Sequence, residues 1–215
     1  MSQKVTPLHG NSPRADSKFS VRKLTMTAML GAVATVLMYI SVSVPLMPSF
    51  IKLDLSELPA LIGAFAYGPV AGVMIEFCKI LIKLVLKPSS TAFVGELANF
   101  SISCMLVLPA SVIYLFKKSR KQAILGTVVG TLIMTAFGSC FNAIYLLPKF
   151  SELYGIPLDA IIGMGTAINP AIHSISGLVL MCVVPLNLLK GGLVSLITIL
   201  VYKKLSPILK AAHKQ

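Results

Sequence analysis

The sequence predicts an all-α integral membrane protein: a six-helix bundle with both termini inside and an outer covering loop after helix one. Three observations carry this. The 215 residues are 56% hydrophobic with only 12% charged, and the mean hydropathy is +0.87, far too apolar for an ordinary soluble domain. Apolar runs of membrane-spanning length recur between prolines and basic clusters. Thirteen of the 19 Lys and Arg residues fall in three places: the N-terminal tail, the KKSRK segment at 117–121, and the C-terminal end.

That distribution explains the net charge of +12. Basic clusters flanking apolar runs mark cytoplasmic ends, and none is interleaved with aromatics as a nucleic-acid surface requires. The charge reports topology. Residues 1–23 read as a disordered cytoplasmic tail, 24–204 as the membrane domain, and 205–215 as a cytoplasmic C-terminal tail. Ser41-Val42-Ser43 imitates a signal-peptidase site. The long apolar run before it and the further spans after it indicate a retained first helix.

A hydrocarbon core of about 30 Å takes roughly 20 helical residues. The first span covers 24–44 and stops at Pro45 and Pro48. Residues 45–56 form the outer loop, carrying Lys52, Asp54 and Ser56. A short second helix runs from 57 to 67 and turns at Gly68-Pro69. The third covers 70–87, the fourth 92–116, and the fifth 122–147 up to Pro148. Residues 148–182 are glycine-rich and only moderately apolar, and the sixth span covers 183–204. A seventh span at 160–181 is the less favoured alternative, because it would place the C-terminal lysines outside. The cysteines Cys78, Cys104, Cys140 and Cys182 stand alone in apolar runs and read as buried, inert thiols.

A charged side chain at mid-bilayer costs about 2.5–3.5 kcal/mol, so polar residues in the spans point to function. Asn187 and Lys190 share one helix face, and Asn142 lies at similar depth on helix five. Together they form a convergent set in the outer third of the bundle. Amides donate and accept while an ammonium only donates, which suits the polar edge of a flat heterocycle. The competing reading has Lys190 snorkelling and the amides joining helices. Glu96 and Asn99 share a face at the start of helix four. There Glu96 either complements the helix N-terminus or enters a pocket. Asp54 and Glu57 have the spacing of a helix cap. Glu76, Lys79 and Lys83 line helix three at i, i+3, i+7 and read first as structural ion pairs, second as an ion path. Ala28, Gly31, Ala32 and Thr35 make a small-residue strip on helix one, and Gly126 with Gly130 another on helix five; both permit close packing.

Catalysis finds no support. Neither G-x-S-x-G nor H-E-x-x-H is present, and G-x-x-x-x-G-K-[ST] is missing too. Any active transport must draw its energy from an ion gradient or a partner.

Four segments in order carry a resemblance: LDLSELPALIGAFAYGPVAGV (53–73), VGELANF (94–100), CFNAIYLLP (140–148) and VPLNLLKGGLVS (184–195). Over roughly 20–205 the chain resembles the riboflavin-specific S components (RibU) of energy-coupling factor (ECF) vitamin transporters. The resemblance implies a bacterial cell-membrane protein that captures riboflavin from outside as transported ligand, with no cofactor. Asn142, Asn187 and Lys190 match positions bonding the isoalloxazine ring. Leu53, Asp54, Leu55 and Ser56 match the covering loop, with Glu96 and Asn99 as ribityl candidates. It also implies a transmembrane coupling protein, EcfT, docking on Ala28, Gly31, Ala32 and Thr35, and two cytoplasmic ABC-type ATPases. An S component for thiamin or a pyridoxine-like ring, and a self-sufficient ion-coupled carrier, remain the alternatives.

Overall fold

The computed structural model describes residues 21–213 apart from 46 and 49–51, with side chains described to 201. The expected disorder of the N-terminal tail lies outside the described residues, save for 21–23, which are helical.

Alternation of apolar runs with Gly and Pro breaks yields seven continuous helical rods among the described residues, one more than expected. They are α1 (Val21–Tyr39), α2 (Glu57–Tyr67), α3 (Pro69–Leu86), α4 (Val94–Lys117), a rod of α5 (Arg120–Phe141) and α6 (Leu147–Tyr154), the added α7 (Leu158–Thr166), and a rod of α8 (Ile175–Leu178) and α9 (Val184–His213). Four of these are long and apolar enough to cross a membrane: 21–39, 94–117, 120–154 and 175–201. The protein is therefore a mostly helical, multi-pass membrane protein. The third helix, 18 residues long, carries Glu76, Lys79 and Lys83. The second is only 11 residues long. The alternative span at 160–181 is not formed, since α7 ends after nine residues.

Pro148 and Pro185 do not stop their helices. Proline lacks an N–H and its ring clashes with the carbonyl four residues back. In both places the helix widens first. A π turn at Asn142–Leu146 precedes Pro148, with the Leu147 N–H donating to the Asn142 carbonyl; another at Val179–Val183 precedes Pro185, with Val184 donating to Val179. The wider turn absorbs the clash and the rod continues. In consequence Asn187 and Asn142 each lie roughly three turns, about 18 Å, from the near end of their rods.

The short second helix is the centre of the bundle. Eight of its 11 residues are buried, and Leu61 and Phe65 pack with Leu106, Tyr114, Met134 and Val194 from α4, α5 and α9. At its far end Gly68, at φ +97°, makes the turn into α3, a conformation that L side chains avoid. The strip on the fifth helix packs as expected: a Cβ at Gly126 or Gly130 would lie 2.5 Å from the carbonyl oxygen of Ala110 or Leu106. A second core joins Leu147, Ile161, Ile172, Leu178 and Val183 across α6–α9, which gives the 148–182 segment its structure.

The strip on α1 divides. Gly31 and Thr35 are buried. A Cβ at Gly31 would meet Cys78 Cβ at 2.7 Å, and Thr35 Oγ1 donates to the carbonyl of Lys79 at 3.2 Å. Ala28 and Ala32 are exposed. All four cysteines are free; Cys104 and Cys182 are buried, Cys78 is half-buried, and Cys140, against expectation, is exposed.

Candidate substrate site

A two-stranded hairpin, β1 (Val42–Ser43) with β2 (Lys52–Leu53), directs the chain inward, and the residues that follow are buried: Asp54 at 9%, Ser56 at 0% and Glu57 at 1% exposure. Three charges are drawn in with them. Lys190 Nζ sits 3.2 Å from Asp54 Oδ2 and 2.7 Å from Glu57 Oε1. Lys79 Nζ donates to Ser56 Oγ at 3.2 Å and lies 2.5 Å from Glu76 Oε2.

Thus Asp54 and Glu57 are no capping pair. Asp54 Oδ1 instead accepts the Ser56 N–H at 2.9 Å, closing a local Asx turn, and Ser56 at the N-cap makes no side-chain cap bond. Glu57 accepts from Ser103 Oγ at 2.8 Å. Burial opposes the Asp54 charge, but the Lys190 ammonium and hydrogen bonds to Ser56 outweigh it and hold the carboxyl below the usual carboxylate range.

Above this cluster is a cavity of about 260 Å³. Asn99, Asn142, Asn187, Lys190, Glu57 and Lys52 supply its polar lining, against apolar walls from Ile102, Met134, Leu147, Phe150, Val183 and Leu186. Leu147 and Phe150 also border a second, more apolar cavity of about 490 Å³ lined by Tyr154, Ile156, Ile161 and Met164. The structure therefore lines one cavity with Asn142, Asn187 and Lys190, and adds Asn99 to them. Leu53 and Leu55 do not line the cavity; Leu55 packs against the central core.

The amides are available for recognition. Asn187 is 6% exposed, and its Nδ2 has no hydrogen-bond partner; the same holds for Asn99 Oδ1. Gly138 leaves the room Asn187 needs, since a Cβ there would lie 2.9 Å from its Nδ2. Asn142 Nδ2 donates to the Gly138 carbonyl at 2.7 Å, leaving its Oδ1 as an acceptor. A buried donor and buried acceptors without partners are unfavourable, and in a cavity they are the groups a ligand satisfies.

Glu96 is committed elsewhere. Its Oε1 pairs with Lys83, and its Oε2 accepts from Ser89 Oγ at 2.8 Å and Thr91 Oγ1 at 3.0 Å. It ties the α3–α4 turn rather than facing the cavity. The stripe on α3 is accordingly two ion pairs, Glu76–Lys79 within the helix and Lys83–Glu96 between helices. Glu57 and Ser103 also border the cavity, and residue spacing does not mark either for it. The only sequence signal for Glu57 was an acid at a helix start, which a cap explains equally well.

The family described as "ECF transporter, substrate-specific component" matches residues 22–202. The chain belongs to that family. This S component is 32% identical to the riboflavin transporter RibU of Staphylococcus aureus (strain TCH60), across 88% of its own length and 93% of the relative's. It is 30% identical to the riboflavin transporter FmnP of Bacillus subtilis (strain 168), across 87% and 93%. A solved structure described as the S component of a bacterial ECF transporter matches with a TM-score of 0.67 and 33% identity, over 88% of this chain and 98% of that one.

Proposed function

We propose that this S component captures riboflavin at the cavity between α2, α4, α5–α6 and α9, for import across the bacterial cell membrane. The observation that carries this reading is the set of unpartnered amide groups on Asn187 and Asn99, in the cavity lined by Asn142 and Lys190 as well, within a chain similar to riboflavin transporters. The pyrimidine edge of the isoalloxazine ring alternates carbonyl acceptors with an N–H donor. Asn187 and the remaining Lys190 N–H supply donors, and the amide oxygens supply acceptors. The apolar walls suit the rest of the ring, and Asn99 the ribityl chain.

Riboflavin should quench on titration into detergent-purified protein, and protein that carries it over from expression should be yellow. Asn187→Ala should weaken binding about fivefold to a hundredfold, the effect of roughly 1–3 kcal/mol from one lost hydrogen bond in a buried site. Unchanged affinity would remove Asn187 from the site.

Within the same reading the bundle has both termini cytoplasmic, the cavity opens outward, and energy comes from EcfT with two ATPases. The basic KKSRK segment and the basic ends support that orientation. Impermeant thiol reagents should label a cysteine at position 45 and leave one at 119 untouched, in a background without the four native cysteines. Labelling at 119 in intact cells would reverse the topology.

A further inference from the structure

Below the cavity, the 54–57 segment, α3 and α9 enclose five charged side chains. Glu76 and Lys79 are fully buried, Glu57 almost so, and the side chains of Lys190 and Asp54 are 11% exposed. With every group charged, the set holds three carboxylates against two ammoniums. Lys83 does not make up the difference, because its ammonium is paired with Glu96.

The missing positive charge falls on the Lys190 side of the set, where one ammonium serves two carboxylates. Lys190 lies against Asp54 and Glu57, while Lys79 is divided between Glu76 and Ser56. Glu76 Oε2 touches the Lys79 ammonium without a directed hydrogen bond, and Glu76 Oε1 and Glu57 Oε2 have no partner. Glu76 is further repelled by the Glu57 charge. The other helices packed against α3 offer no relief. At this level α1 presents Thr35, whose hydroxyl donates to the carbonyls of Gly31 and Lys79, and α4 presents Ser103, which donates to Glu57, and the Cys104 thiol. A buried set of side chains with one carboxylate in excess of its ammoniums, and carboxylate oxygens left without hydrogen bonds, is strongly unfavourable.

We propose that this cluster takes up one monovalent cation, a proton or a sodium ion, among its three carboxylates. Its occupancy neutralises the set and holds the 52–57 segment against α3 and α9. A divalent ion would leave the cluster one charge in excess.

The test is thermal unfolding of the purified full chain in detergent without flavin, so that it does not depend on the ligand assignment. Sodium is exchanged for choline at fixed ionic strength, and pH is raised from about 6 to about 9, across the range where a strongly perturbed buried carboxyl titrates. Wild type should lose roughly 5 °C or more in Tm in choline at the high pH, as expected for removing a ligand held well above its Kd. Recovery on adding sodium identifies sodium; recovery only on lowering pH identifies the proton. Glu76→Gln keeps the shape and removes the charge, so its Tm should respond to neither. If that variant does not fold, Glu57→Gln removes the surplus carboxylate from the same cluster and should flatten the response likewise. A wild-type Tm indifferent to both series, or a folded Glu76→Gln protein with the wild-type response, overturns the proposal.

Discussion

Replacing Lys190 by alanine should abolish tight flavin binding and strip the protein of a large part of its stability together. The ammonium lies 3.2 Å from Asp54 and 2.7 Å from Glu57, so its removal leaves two carboxylates buried without their cation. Breaking a buried pair from one side costs about 3–5 kcal/mol. Since the two acids fix the segment entering α2, the cavity wall should loosen as well. Thermal unfolding and flavin titration of the same preparation measure both effects. The double variant Lys190→Met with Glu57→Gln separates them: with one acid neutralised, stability should recover in part while binding stays weak. A Lys190→Ala protein as stable as wild type would mean that the ion pairs do not anchor the segment. The pH dependence has a definite sign. Asp54 is held below its ordinary range in the folded chain, so its pairing stabilises above about pH 4 and is lost as pH falls below that. Wild type should weaken on acidification through this window, and Lys190→Met should weaken less.

Local chemistry decided which parts of this were legible beforehand. Helix faces follow from spacing alone, which is why Asn187 with Lys190, and Gly126 with Gly130, could be placed correctly. Hydropathy located the spans for the same reason: it depends only on neighbours along the chain. Pro148 misled, because the rule that proline ends a helix assumes an unaltered turn before it, and a π turn needs no particular residue to form. Asp54 and Glu57 misled differently. Their spacing from each other fits a cap, and only a lysine 136 positions beyond Asp54 turns them into ion-pair partners. Nothing local encodes that contact. Glu96 belongs with them, since its partner Lys83 lies across a turn on another helix. The extra helix at 158–166 was hidden because its nine residues lie in a glycine-rich stretch with no length to register as a span.

Helix one offers the sharpest separation of binding from transport, and its two faces now make different predictions. Gly31 and Thr35 are buried against α3, with no room for a side chain at Gly31. Ala28 and Ala32 lie one turn apart on the exposed side, beside Met29, Val33 and Val36, which are all exposed as well. A small, apolar, outward strip lets a second helix approach closely, whereas nothing on it can recognise a vitamin. If the coupling protein docks there, Ala32→Trp should block the approach while leaving the cavity untouched. Flavin affinity and Tm of the isolated variant should stay near wild type, and ATP-dependent uptake by the full complex should collapse along with co-purification of the coupling protein. Gly31→Leu is the internal control. Its side chain would meet Cys78, and overpacking at such a contact costs about 1–3 kcal/mol, so it should lower Tm before it affects docking. Uptake at the wild-type rate in Ala32→Trp would place the coupling interface on another helix. A fall in Tm and flavin affinity together in that variant would show that the exposed face packs within the bundle after all.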